Sequence, residues 1–426
     1  MRRLTNYVLA ALLLFLYTTR LWVAALGKSL WTDESVGIWG SVYNSFSRLI
    51  LQGPAGEASP SPLPYLVEKS WLAYWNYQPQ LWWNTRMFFR LLPVTYWALA
   101  AVIVFIFFTI FFPRFFPLLH WGWITLLSLA ISLFYHSGSF AQYYALEDRT
   151  YAPWLLMSTI HFLFFLVSCA RELSKKEWFA YTFVCVLMVA TTYVTLAQIA
   201  IGFFVHFIFF RNPQKNILQH LKFYGVIFAA PTILAFYYFF HVIQYHYIPP
   251  PWWMFHEAVM EVVSKAFHHH GIQQLFFTIP LFAMLAPYLL RAQKATAAIS
   301  VFFWLHIFLS GVFFVGCLVK GNLFHSRYFI FLTPASAAMY GVGILFVANT
   351  LGKISTRIKG THIILFWAGL TVLTQLPIYV KAVYKDWPLF AEKKAYKKTT
   401  NPKCDEKLIT GDFQKMEEQN RICRTF

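Results

Sequence analysis

Residues 90–112 read RLLPVTYWALAAVIVFIFFTIFF, one arginine followed by twenty-two residues without a charge. As a helix rising 1.5 Å per residue, the uncharged part spans about 33 Å, close to the ~30 Å hydrocarbon thickness of a bilayer. Working outward, comparable runs recur near 4–26, 118–136, 150–170, 177–193, 196–210, 222–243, 273–290, 299–319, 327–348 and 361–380. The chain is 58% hydrophobic and only 12% charged, where a soluble domain carries roughly 25% charge, so a set of soluble domains is excluded. The expected fold is an all-α polytopic membrane protein with about eleven transmembrane helices. Residues 1–380 form the membrane domain and 381–426 a polar tail.

The net charge of +18 would suggest a nucleic-acid partner in a soluble protein. Here the basic residues sit between apolar runs and report topology, so no nucleic acid is expected. With the N-terminus inside, the cytoplasmic segments hold fourteen Lys and Arg, including Arg2, Arg3, Arg171, Lys175, Lys176, Lys353 and Arg357, against ten on the opposite side of residues 1–380, the tail counted apart. That bias predicts N-in, C-out. Arg2-Arg3 and Ala24-Ala25-Leu26-Gly27 resemble signal-peptide features, but the run is long and contains Arg20, so an uncleaved anchor is expected. The cysteines form no metal-ligand pair; three lie in apolar runs and read as core residues, while Cys404 and Cys423 share the tail.

Of seventeen acidic residues, seven lie in the tail and only Glu172 and Glu177 face the cytoplasm. The other eight all face outward: Asp33, Glu34, Glu57, Glu68, Glu147, Asp148, Glu257 and Glu261. Carboxylates at a membrane surface are costly, which places any chemistry on the outer face. The first outer loop, 27–88, is long and rich in Trp and Tyr. Pro and Gly clusters at 53–64 precede a stripe of Leu63, Leu66, Val67, Trp71, Tyr74 and Trp75 opposite Glu68-Lys69-Ser70, the pattern of a helix lying in the interface.

Asp33-Glu34 reads either as a helix cap or as a general base at the membrane surface. Glu147-Asp148-Arg149 reads either as an internally neutralised group or as a site where Arg149 binds a phosphate beside a carboxylate. Lys320 to Tyr328 sets two cations and His325 at the outer lip of a late span, and Arg327 reads as a snorkelling residue or as a second guanidinium fork for phosphate. In the loop 244–272, Glu257, Glu261 and Lys265 recur every four residues as a solvated helix face. Adjacent His268, His269 and His270 point apart on one turn and do not suit a metal.

These residues carry a resemblance. Asp33-Glu34 after the first span resembles an Asp-Glu motif, and Ser61-Pro62-Leu63-Pro64-Tyr65 a His-Pro-Pro-Leu-Tyr-Tyr segment. Arg90-Leu91-Leu92-Pro93 is similar to an Arg-Leu-Pro span entry, Glu147 to Ala152 to Glu-x-Arg-x-Tyr-Ala, and Arg327-Tyr328 with Pro334 to a late Arg-Tyr-x(n)-Pro pattern. Their order over residues 5–345 resembles GT-C class membrane glycosyltransferases, the bacterial relatives of protein mannosyltransferases and of the lipid A aminoarabinose transferase. The histidine of the second motif is replaced by Pro60 or Ser61, and the tail matches nothing in the pattern.

The resemblance implies a GT-C-like fold with interfacial helices in the first outer loop. It also implies transfer of a sugar from a polyprenyl-phosphate donor to a protein, lipid or glycan acceptor on the outer face of a bacterial inner membrane. Asp33 would be the principal catalytic carboxylate, with Glu34 in support and Glu147 on the acceptor side. Arg149 and Arg327 would stabilise the departing lipid phosphate, joined by Tyr151, Tyr328 and His325. No metal or other cofactor is implied. The alternatives are a transporter or flippase of lipid-linked substrates, which predicts mid-membrane charges and an internal repeat, a polysaccharide polymerase or ligase, and a non-catalytic scaffold.

Overall fold

The structure is a computed structural model that describes residues 2–26, 34, 37–38, 41–42, 44–52, 61–76, 85–115, 119–137, 146–147, 149–210, 216–242, 294–320, 330–354 and 359–384. Among the described residues the regular structure is helical, with no strand. In chain order the helices are α1 (Arg2–Leu26), α2 (Phe46–Gln52), α3 (Leu63–Tyr74), α4 (Thr85–Phe115), α5 (Trp121–Ser137) and α6 (Tyr151–Ala170). They continue as α7 (Lys175–Thr191), α8 (Thr195–Phe210), α9 (Ile217–Val242), α10 (Lys294–Lys320), α11 (Leu332–Ile354) and α12 (Gly360–Tyr384).

Helices thus lie over ten of the apolar runs, while the run 273–290, the loop 244–272 with its histidines, and the tail beyond 384 lie outside the described residues. Among the described residues five helices are long and apolar enough to cross a membrane, at Leu4–Val23, Phe88–Pro113, Tyr151–Ala170, Leu332–Gly352 and Gly360–Lys381. Bare apolar side chains on these and the other helices agree: Phe179 of α7 is 77% exposed, Leu373 of α12 75%, Ile233 of α9 71% and Phe308 of α10 70%. Surrounded by water, so many bare large side chains would drive aggregation; surrounded by hydrocarbon they lose nothing. The chain is an all-α membrane protein.

Because lipid solvates apolar side chains as well as protein does, helix association here rests on close packing and interhelical hydrogen bonds. The main core is built on α4, which packs against α1, α5 and α6, and on α5, which packs against α11 and α12. Buried Trp97, Phe105, Phe108 and Phe112 of α4 fill its centre. A second core joins α7, α8 and α9 around Tyr181, Cys185, Met188 and Phe203. Cys169 and Cys185 are buried free thiols, as the core reading expects.

Polar pins cross the helix interfaces. Tyr17 of α1 bonds Ser132 of α5 at 2.8 Å, and Ser132 donates to the Ala101 carbonyl of α4 at 2.8 Å. Tyr135 meets Thr159 at 2.7 Å, linking α5 to α6, and Trp154 donates to Gln198 at 2.8 Å, linking α6 to α8. At the ends of α5 and α12, His136 Nδ1 lies 2.7 Å from the Tyr379 hydroxyl while its ring stacks on Tyr17 at 4.1 Å. These contacts bring together the C-terminal ends of α1, α5 and α12.

On the opposite rim, α7 starts with a capping box. Ser174 accepts from the Glu177 N–H, and the Glu177 carboxylate accepts from the Ser174 N–H at 2.8 Å. Arg171 also binds Glu177, holding its exposed carboxyl at about 2, below the ordinary 4.5. The box explains why this helix starts at Lys175 instead of at the apolar residues further on.

The interfacial helix differs from its expected orientation. The inward face of α3 is Tyr65, Glu68 and Leu72, all buried, whereas Tyr74 and Trp75 are exposed. Glu68 is therefore an interior carboxylate and not part of a solvated face. The physical reason is that α3 has protein on one side and lets its aromatic end project outward, so its largest apolar stripe is not its packed one.

Candidate functional site

The starts of α4 and α6 lie at the same end of the molecule as the C-terminal ends of α1, α5 and α12, because Arg90 at the head of α4 donates to the Ala25 carbonyl of α1 at 3.0 Å. Arg90 is fully buried, as is Glu34, and the two form a forked ion pair. Nε donates to Oε1 at 3.1 Å, and Nη2 donates to Oε2 at 2.8 Å and to Oε1 at 3.1 Å. A planar guanidinium suits this two-oxygen grip, which a lysine would not reproduce. Beside it Ile38, Leu72, Phe88 and Phe89 form a small apolar cluster with Val42 and Trp71. Together they hold Glu34, Ile38 and Val42 onto the head of α4.

Helix α3 is held from three directions. Ser61, ahead of its first turn, donates to the Val189 carbonyl at 3.3 Å and accepts from the Tyr193 N–H at 3.1 Å, fastening it to the α7–α8 turn. Ser41 donates to Glu68 Oε2 at 2.5 Å. The Lys69 ammonium donates to the carbonyls of Ser41 and Val42 at 3.2 and 3.3 Å and lies 5.5 Å from the Phe46 ring centre. Ser61 thus acts as a structural clamp.

Between α3, the start of α4 and the start of α6 lies a shallow, partly open cleft lined by Pro64, Tyr65, Glu68, Leu92, Pro93, Tyr96, Arg149 and Pro153. Arg149 is partly exposed and is positioned by a tight turn in which its N–H donates to the Glu147 carbonyl at 2.8 Å. The turn leads directly into α6, where the Trp154 N–H bonds the Thr150 carbonyl at 2.9 Å. Carboxylate, guanidinium, phenol rings and apolar walls thus converge in one concavity, the usual make-up of a small-ligand site.

Comparison with known proteins adds no family. No family model matches the chain, and no curated protein matches it.

Of the residues expected from the sequence, Glu34, Glu147, Arg149 and Tyr151 are described. Asp33, Arg327, Tyr328 and His325 lie outside the described residues, as does Asp148. Arg149 lines the cleft, Glu147 is buried just before it, and Glu34 is gripped by Arg90. Tyr151 is 5% exposed and belongs to the main core, so its ring anchors the start of α6. Among the described residues no three His, Cys, Asp or Glu side chains converge as metal ligands.

Sequence reasoning missed Glu68 and Tyr96. The signal for Glu68 was present: Tyr65, Glu68 and Leu72 share one helix face at i, i+3 and i+7 spacing. Arg90 was visible as part of a motif, but its partner was not, because fifty-six residues separate it from Glu34.

Proposed function

We propose that this chain is a membrane glycosyltransferase that moves a sugar from a polyprenyl-phosphate donor to an acceptor on the outer face of a bacterial inner membrane. The observation that carries the reading is the common location of its two parts. Glu34, next to Asp33, is locked onto the head of α4 by Arg90, and Arg149 lines a cleft built on that same head of α4.

In this reading the eleven-span, N-in topology holds, and the prenyl chain lies between the Phe-rich helices. Asp33 takes the proton of the acceptor hydroxyl as its oxygen attacks the anomeric carbon. The bond from that carbon to the phosphate oxygen breaks, and its electron pair leaves on the lipid phosphate. Arg149 and Arg327 stabilise the charge that develops there, an electrostatic effect strongest where water is excluded. Tyr328 and His325 assist at the phosphate. Glu147 acts on the acceptor side, and Tyr151 supports Arg149 from the core.

Glu34 serves by position. Both of its oxygens are engaged by Arg90, so it fixes the segment that carries Asp33 and leaves proton transfer to its neighbour.

The test is transfer of labelled sugar from polyprenyl-phosphate donors in membranes carrying wild type, Asp33→Asn, Arg149→Gln or Arg327→Ala, each verified as folded. We expect transfer by wild type, its loss in Asp33→Asn and a fall of about 10²-fold or more in each arginine variant. Full activity in Asp33→Asn would move a polymerase or ligase ahead, and movement of lipid-linked sugar without transfer would favour a flippase.

A further inference from the structure

The cleft contains more than a phosphate requires. A lipid phosphate is served by Arg149, yet the same concavity presents a carboxylate, two phenol rings and three prolines. A carboxylate beside a phosphate site is electrostatically adverse unless it has a separate task. Glu68 is also built in with care: it is only 6% exposed, Ser41 bonds its Oε2, and Ser61 and Lys69 fix the helix that carries it. Holding a carboxylate so firmly in a partly apolar rim is expensive, and its orientation is set before any ligand arrives.

Resting on the glycosyltransferase reading above, we infer that this cleft is the glycosyl subsite of the donor, with Glu68 as its specificity-determining acceptor. Carboxylate oxygens accept hydrogen bonds from neighbouring hydroxyls of a sugar ring, and the half-buried Tyr96 ring and Pro64 meet its C–H face over a floor of buried Tyr65, Pro93 and Pro153. Arg149 lies at the phosphate side of the same sugar. The charge pattern also selects a substrate class. Glu68 favours a neutral or amino sugar and rejects a uronic acid, whose carboxylate would face a fixed negative charge.

The geometry has a topological requirement that it meets. The cleft is walled by the first turns of α4 and α6, which start at the same end of the molecule, with α3 laid across them. A lipid-linked sugar approaching from the bilayer at that end would bring its phosphate and its ring to one rim.

The experiment measures binding and needs no acceptor. Wild type, Glu68→Gln, Tyr96→Ala and Arg149→Gln are reconstituted in lipid nanodiscs and titrated with polyprenyl phosphate, polyprenyl-phosphate mannose, polyprenyl-phosphate glucose and a polyprenyl-phosphate glucuronate. Wild type is expected to bind at least one neutral glycolipid about tenfold or more tighter than the bare lipid phosphate, the effect of a hydrogen bond to a charged acceptor. It is expected not to gain affinity for the glucuronate. Glu68→Gln lowers the affinity for the neutral glycolipids themselves, while bare-phosphate binding holds or tightens as the adverse charge is removed, and it admits the glucuronate. Tyr96→Ala lowers the same affinity by an independent route, which keeps the test decisive if Glu68→Gln does not fold.

Arg149→Gln weakens all four lipids alike. If wild type binds glycosylated and bare lipids equally, or both Glu68→Gln and Tyr96→Ala keep the neutral-glycolipid affinity, the subsite is overturned while the glycosyltransferase reading stands. If wild type binds none of the four, that reading falls and takes the subsite with it.

Discussion

Glu34 and Arg90 pose the question of what a fully buried ion pair does at the edge of a membrane. Withdrawing two charges from water costs several kcal/mol per ion, and their mutual attraction repays this only with good geometry. Here the geometry is good, with three contacts of 2.8–3.1 Å and a further bond from Arg90 to Ala25. Removing one partner leaves the other charged and buried without the counter-ion of this fork. Arg90→Leu and Glu34→Leu are each expected to destabilise the folded protein by about 3–5 kcal/mol, whereas the double Leu variant recovers a large part of that loss. Thermal unfolding of the four proteins in detergent measures this. Additive losses would mean that the pair is not coupled. Arg90→Lys is expected to resemble the Leu variant more than wild type, because an ammonium cannot reproduce the fork.

At the scale of helices, α11 passes α5 with no room for a Cβ at Gly341. A Cβ on Gly341 would lie 2.2 Å from Cδ1 and 2.8 Å from Cγ1 of Ile131, which is fully buried, so the isoleucine side chain would have to shift within the core. Ala335, Ala337 and Ala338 on the same helix are also small and buried, the composition that lets membrane helices approach closely. Gly341→Ala is expected to destabilise by about 1–3 kcal/mol through overpacking. Adding Ile131→Ala is expected to restore much of it, whereas Ile131→Ala alone opens a cavity. Unfolding midpoints of the three variants check both signs.

That contact was not legible in the sequence, where Gly341 is one small residue in an apolar run. Hydropathy reports which segments suit hydrocarbon, and in that respect the runs at 90–112 and 150–170 were readable from composition alone. It does not report which face meets protein and which meets lipid, since both are apolar. For the same reason Glu68 was read as solvated. Helix ends were also out of reach of hydropathy: α4 begins at Thr85, before its apolar run, and α12 continues to Tyr384, past the run ending at 380. Arg149 was legible as a phosphate candidate because a charged group at a span entry stands out, but its neighbours Glu68 and Tyr96 come from distant segments.

For the whole molecule the decisive variable is orientation, since every chemical role above assumes that the rim bearing Arg90 and Arg149 faces outward. The fold supplies an internal requirement. α1 ends at that rim while α4 and α6 start there, so Ala25, Arg90 and Arg149 share one side, and the Arg171–Glu177 group at the far end of α6 lies on the other. Within residues 1–380 Lys and Arg are more numerous on the Arg171 side, and by the positive-inside rule that side is expected to face the cytoplasm. Two exposed positions report the two rims: Ser70 on α3, whose hydroxyl makes only a local bond to the Leu66 carbonyl, and Glu172 in the turn before α7. In a variant lacking the native cysteines, Ser70→Cys is expected to react with a membrane-impermeant maleimide on intact cells or spheroplasts. Glu172→Cys is expected to react only after permeabilisation. The reverse pattern would place the cleft in the cytoplasm. A polyprenyl-phosphate donor presented to the outer face would then be out of reach, and nucleotide-linked donors would become the chemistry to test. Labelling of both positions from outside would contradict the parallel course of α4 and α6 on which the cleft depends.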